Sequence, residues 1–236
     1  MGVCVFAISH WYAALGDCTF PTVFVRLSGA EIEALLGADP NADAARKSMA
    51  RLDLAIQSLP GASFVGADVC APTDSPQYRH GHGLRSGRAA WELLAASPQV
   101  REAFRAQATQ RFTVRPFRRM ERTREFRMFI RQRRLVAMSQ YHLDGYAARL
   151  HVRQAEIWSL AQAFAAEVTP WLPAENLVID VYLTSDRRLL VVDLNPWGDP
   201  TNPLLLRGWD RDWSQDTGLR LIPKPVKMKG EISVSF

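Results

Sequence analysis

The stretch from Leu177 to Trp197 reads LVIDVYLTSDRRLLVVDLNPW. Its two runs, Leu177 to Leu183 and Leu189 to Leu194, are rich in β-branched and apolar residues. With the turn signal Ser185-Asp186 between them, they predict a β-hairpin. Asp180 and Asp193 interrupt runs that a buried strand would fill with apolar side chains. If the loop is Ser185 and Asp186 alone, Val178 faces Asp193, and Asp180, Asp193 and Asn195 then share one face. A three-residue loop would split the faces. Two carboxylates close together in a partly apolar sheet repel each other and are poorly solvated. A hard cation would remove that conflict, and magnesium prefers one or two carboxylates with waters and phosphate oxygens. In the other reading one Asp caps the turn or pairs with an arginine. Spacing leaves both open.

The chain has 236 residues, is 47% hydrophobic and can bury a large core as one domain or as two packed lobes. No run of eighteen apolar residues is present, and the amino terminus shows no basic region followed by a small-residue cleavage site, so a cytoplasmic protein without membrane partners is expected. Cys4, Cys18 and Cys70 are odd in number and lack metal-finger spacing, which argues against a disulfide scaffold and points to free, mostly buried thiols. The net charge is +5. Lysine occurs only at positions 47, 224, 227 and 229, so arginine carries whatever phosphate chemistry exists. Arg111, Arg115, Arg118, Arg119, Arg122, Arg124, Arg127, Arg131, Arg133 and Arg134 crowd one stretch. That run is either an anion-binding or RNA-binding face or simply the solvated side of strands.

Elsewhere the pattern is α+β. Strands are expected at Val3 to Ile8 and Thr22 to Leu27. Ser28-Gly29-Ala30-Glu31 forms a capping box for a helix through Leu36, and an amphipathic helix runs from Ala42 to Leu59. A strand at Ala62 to Val69 and a loop from Pro72 to Gly87 follow. One helix begins near Arg88, and Ser97 caps another with Pro98 at its first position. Phe112 to Phe117 reads as a strand. Glu125 to Ile130 pairs with Leu135 to Gln140 across a turn near Gln132 and Arg133. Tyr146 to Val168 is the longest helix candidate, and Glu231 to Phe236 a final edge strand.

Trp11-Tyr12, Arg115 with Phe117, Glu125-Phe126-Arg127, Ser139-Gln140, Val178-Ile179-Asp180-Val181-Tyr182 and Val192-Asp193-Leu194-Asn195-Pro196 together resemble the cell-division-cycle protein 123 family. Gly198 to Leu206 resembles its continuation. The resemblance implies an ATP-grasp fold, with an N-terminal lobe over residues 1–110 and a C-terminal lobe over 111–236 packed as one monomeric unit around ATP and Mg2+. It also implies a role like that of eukaryotic members, which are assembly chaperones for translation initiation factor 2. Asp180, Asp193 and Asn195 match the family's magnesium positions, with Asp193 also close to the phosphates. Arg115 and Phe117 match the segment linking the lobes, where backbone groups bind adenine and the arginine reaches toward nucleotide. Arg127 matches a phosphate- or ribose-side arginine, against the alternative of an ion pair with Glu125 or another acid.

The chain lacks the acidic insert of eukaryotic members, which suggests a bacterial or viral relative. It also departs from the family at Gly66, the nearest equivalent of a strand lysine that precedes the turn at Ala71-Pro72-Thr73-Asp74. Arg79, Arg85 and Arg88, in a Gly-rich basic loop, are candidate replacements. His80 and His82 in that loop read as part of a mobile polar segment or as metal ligands. Three functions stay open: a nucleotide-dependent binding or assembly factor with a protein partner, an ATP-dependent ligase forming an acyl phosphate, and an ATP-grasp ligase acting on RNA.

Overall fold

The computed structural model describes residues 4–78 and 82–225. Helix α1 (Ile8–Leu15) comes first, then β1 (Val23–Arg26), α2 (Gly29–Gly37), α3 (Asp43–Gln57), β2 (Ser63–Ala67), α4 (Gly87–Ala95), α5 (Pro98–Arg105) and β3 (Arg111–Pro116). β1, β3 and β2 form an antiparallel sheet with β3 in the centre. Period-two alternation sends Phe112 and Val114 of β3 to one side, into a core with Leu52, Trp91 and Phe104 from α3, α4 and α5. Arg111, Thr113 and Arg115 take the opposite face. Local signals hold here. Ser28 and Glu31 complete the capping box of α2, and Ser97 accepts from the Val100 amide with Pro98 in the first turn of α5.

The second sheet has the order β7-β6-β4-β5-β8. Its strands are β4 (Glu125–Arg131), β5 (Arg134–Gln140), β6 (Leu177–Leu183), β7 (Leu189–Pro196) and β8 (Gly218–Arg220), with α6 (Ala148–Val152) and α7 (Gln154–Val168) between β5 and β6. Gln132 and Arg133 both have positive φ, 50° and 58°. This is the backbone of a two-residue primed turn, whose twist matches the flanking strands. Phe126, Met128 and Ile130 share the face packed on α7, with Ile157, Ala161 and Phe164. On the other face Phe129, Val136 and Val178 are covered by Leu206 and Trp213, with Trp197 and Trp209 alongside.

Four sequence expectations need correction. The strand placed at Val3 to Ile8 is instead a turn over the described residues 4–7, followed by α1. The reason is tertiary. The Asp68 carboxylate accepts from the Ser9 amide at 2.7 Å and its carbonyl accepts from the Ile8 amide at 2.9 Å, satisfying the first turn. The helix expected over Tyr146 to Val168 breaks into α6 and α7 at Arg153, whose guanidinium closes on Glu156 with bonds of 2.9 and 3.0 Å. The lobe division at 110/111 cuts off the central strand of the first sheet. β3 pairs with β1 and β2, so the change of sheet falls between Pro116 and Glu125, while Trp11 and Leu15 of α1 are buried in the core of the second lobe. The three thiols are free as expected, but partly exposed rather than buried. The strand expected at Glu231 to Phe236 lies outside the described residues.

The hairpin Leu177 to Trp197 forms, with a different register. Leu183 pairs with Leu189 and Val181 with Val191. The Thr184 amide donates to the Arg188 carbonyl at 2.9 Å and Arg187 has φ 65°, so three residues make the loop. That odd register would split the acids between faces. A β-bulge between Asp180 and Val181 cancels it: Val192 is the extra residue, and from there Asp180 pairs with Asp193 and Val178 with Asn195. The same step turns Leu194 into the core beside Ile179. Asp180, Asp193 and Asn195 therefore do share a face.

Candidate functional site

Asp180, on β6, lies opposite Arg127 of β4 and opposite Asp193 of β7. Arg127 grips it with both ends of the fork, Nε to Oδ1 at 2.7 Å and Nη2 to Oδ2 at 2.8 Å. Asn195 adds a bond from Nδ2 to Oδ2 at 3.0 Å. The Arg127 guanidinium also donates to the Asn202 carbonyl at 2.7 Å and sits 5.1 Å over the Tyr141 ring. Its pKa is raised: burial pulls it down, but the Asp180 bonds and charge outweigh that. The ion-pair alternative for Arg127 is thus the observed arrangement, with Asp180 as the acid. Asp180 is matched by protein donors before any ligand is considered.

Asp193 is different. Its Oδ1 accepts from the Leu194 amide at 2.9 Å, and among the described residues no side chain donates to it. Burial, then the charge of Asp180, push its carboxyl up to about 7, against the pull of Arg115, the Leu194 amide and Arg127. An incompletely compensated carboxylate beside an amide oxygen, that of Asn195, is a hard-oxygen donor set that suits magnesium. Among the described residues no group of three His, Cys, Asp or Glu could hold a metal ion unaided. An ion here would complete its shell with water or ligand oxygens.

Arg115 reaches this place from the first sheet. It is 8% exposed. Nε donates to Thr22 Oγ1 at 3.1 Å, Nη1 donates to the Val192 carbonyl at 3.0 Å, and the guanidinium lies 6.0 Å from the Trp11 ring centre. Burial lowers its pKa while the nearby Asp193 holds it up. Nη2 is buried and has no partner among the described residues. A buried orphan donor on a guanidinium that feels the charge of an incompletely compensated carboxylate makes this a candidate binding place.

Other candidates are engaged in local contacts. The Phe117 amide is committed to the Ala62 carbonyl at 2.8 Å, extending the β2–β3 ladder. The Phe117 side chain packs on Gly83, where an added Cβ would lie 2.7 Å from it. At Gly66 a Cβ would meet the Cys70 carbonyl at 3.1 Å, because the chain folds back onto β2 there. Asp74 caps α5 by accepting from Ser97 Oγ and from the Gln99 amide. Arg88 pairs with Glu92 on the surface of α4, and Arg85 and His82 are exposed. Arg79 and His80 lie outside the described residues.

The arginine run does not gather into one face. Arg122 pairs with Asp144, Arg124 with Glu121, and Arg134 with Asp216, while Arg133 donates to the Thr169 carbonyl. The RNA-binding reading loses its support. Sequence reasoning missed Thr22, the carbonyl of Val192 and the ring of Tyr141, none of which carries a local signal. It also missed the pairing of His142 with Glu125 at 3.2 Å, where burial raises the Glu125 pKa and His142 opposes the rise.

A profile of the D123 family matches residues 86–229. A translation initiation factor eIF2 assembly protein of Xenopus tropicalis is 33% identical over 94 residues, 38% of this chain and 28% of that protein. A cell division cycle protein 123 of Aspergillus terreus is 37% identical over 83 residues, 34% of this chain and 20% of that protein. These sequence matches span less than a third of either relative. The solved structure of Cdc123 from Schizosaccharomyces pombe superposes with a TM-score of 0.80 at 21% identity, over 93% of this chain and 96% of that one, so the two share a fold. The α+β architecture expected from the sequence is the one observed, and it is shared with that Cdc123 structure. With more than half of its length matched, the chain belongs to the D123 family, the family of cell division cycle protein 123.

Proposed function

We propose that the cleft between the two sheets binds ATP with magnesium, and that the protein acts as a nucleotide-dependent binding or assembly factor. The observation that carries this reading is the pairing of an incompletely compensated carboxylate, Asp193, with a buried, unpaired arginine nitrogen, Arg115 Nη2, from the opposite lobe. An anion with a divalent cation satisfies both at once. Asp193 and Asn195 would hold the ion, which when bound would neutralise phosphate charge. Asp180 serves as their anchored neighbour, with Arg127 holding its charge. Arg115 Nη2 donates to the anion, and Arg127, engaged by Asp180 and Asn202, supports the acid pair from behind. Phe117, on the segment that follows Arg115, is the proposed neighbour of the adenine.

Relatives named as eIF2 assembly proteins support a protein partner of the translation-factor class. No helix among the described residues is long and apolar enough to cross a membrane. The testing experiment is calorimetric titration of ATP with and without Mg2+, followed by assay of the mixture for ADP. Magnesium-dependent binding without ADP supports the binding-factor reading. ADP release only in the presence of an amine and a carboxylate acceptor would turn it to the ligase reading.

A further inference from the structure

We infer that Arg115 is a positioning residue: by pinning the bulge at Val192 across the lobe interface, it sets the place of Asp193 and Asn195. The inference rests on the reading of those two residues as the metal-binding pair. The bulge is what makes that pair available. In the register set by the three-residue loop, Asp193 would stand opposite Ile179 and point into the core, where Leu194 now sits. One extra residue returns both Asp193 and Asn195 to the face of Asp180.

A bulge leaves backbone groups off the ladder, so something else must hold them. Here both flanking carbonyls are held by side chains from outside the second sheet. Thr19 Oγ1 donates to the Val191 carbonyl at 2.6 Å, and Arg115 Nη1 donates to the Val192 carbonyl at 3.0 Å. Arg115 is itself fixed on two further sides. Thr22 Oγ1 accepts from Nε at 3.1 Å, and the backbone amide of that threonine in turn donates to Tyr12 Oη at 3.1 Å. The Trp11 ring flanks the guanidinium. A residue of the first sheet thus defines the backbone on which the second sheet carries its acids, while its remaining nitrogen, Nη2, has no partner among the described residues.

The two roles open to Arg115 predict opposite signs for binding of a bare metal ion. If it only contacts an anion, removing its positive charge near the acids tightens cation binding, because a repulsion disappears. If it positions Asp193, removal weakens cation binding despite the lost repulsion. The test uses Mn2+ alone, without nucleotide, measured by electron paramagnetic resonance on the full chain. Hydrogen exchange over residues 189–196 is followed in parallel for Arg115→Met, Arg115→Lys and Thr19→Val. Thr19→Val loosens the bulge without changing any charge.

Arg115→Met is expected to weaken Mn2+ binding at least tenfold and to speed exchange in 189–196, while exchange in 125–140 stays as in wild type. Arg115→Lys, which can still donate to the Val192 carbonyl, is expected to recover most of the exchange protection. Thr19→Val should weaken Mn2+ binding in the same direction. Unchanged exchange in 189–196 with Mn2+ binding equal or tighter in Arg115→Met would overturn the positioning role. Absence of Mn2+ binding by wild type would remove the metal reading instead, and the exchange data would still decide the structural half.

Discussion

Replacing Asp193 with asparagine is expected to stabilise the protein at neutral and alkaline pH and to leave it unchanged near pH 4. The carboxyl is raised from its ordinary 3.8 to about 7 in the folded chain, by burial and by the charge of Asp180. Between those values the folded state keeps a proton that the unfolded state has released. Stability therefore falls as pH rises from about 4 to about 7 and levels off above. A shift of about three units, at about 1.36 kcal/mol each, sets a ceiling of ~4 kcal/mol. Asp193 keeps a partial contact with solvent, so the observable effect falls below that ceiling. Asparagine is neutral throughout and keeps an oxygen for the Leu194 amide, so it avoids the loss. Urea denaturation of both proteins at pH 4.5 and pH 8, without divalent ions, measures the difference. Near-equal midpoints at pH 4.5 and a more stable variant at pH 8 are expected. A variant less stable at pH 8, or a difference independent of pH, would refute the reasoning.

Arg127→Met leaves Asp180 buried without its partner guanidinium and is expected to cost about 3–5 kcal/mol; urea denaturation beside the wild type checks it, and an unchanged midpoint would refute it. Phe129 is fully buried and stacks on Trp213 at 5.6 Å, so Phe129→Ala should cost about 3–5 kcal/mol and shift tryptophan emission to the red; unchanged emission would mean that the Trp197–Trp213 cover does not depend on it. Gly66→Lys is expected to lower the thermal midpoint and to leave nucleotide affinity unimproved, because even a Cβ at that position crowds the Cys70 carbonyl. Tighter ATP binding by that variant would show that the strand can carry a phosphate-binding lysine after all.

What was legible in the sequence was what local chemistry decides. The capping box at Ser28 and the Ser97-Pro98 start are satisfied within a single turn, and the alternation of Phe126, Met128 and Ile130 needs only one neighbouring core. The shared face of Asp180, Asp193 and Asn195 was also reached, although by the wrong register. The loop adds one residue of offset and the bulge at Val192 removes it, and neither shows in apolar spacing alone. The bulge depends on the demand for Leu194 in the core and on Arg115, 77 residues away. Likewise α1 owes its start to Asp68, 59 residues from Ser9, so its short apolar run read as a strand. Arg127 was singled out for its motif, but its partner among several acids was set by the β4–β6 register.

The central claim is that Asp193 is the ligand-facing carboxylate of a magnesium–nucleotide cleft. Calorimetric titration of ATP into wild type and Asp193→Ala, with and without Mg2+, tests it most directly. The account predicts binding that requires Mg2+ in the wild type and is absent in a variant that circular dichroism shows to be folded. Binding that persists in Asp193→Ala, or that is indifferent to Mg2+ in the wild type, would contradict it.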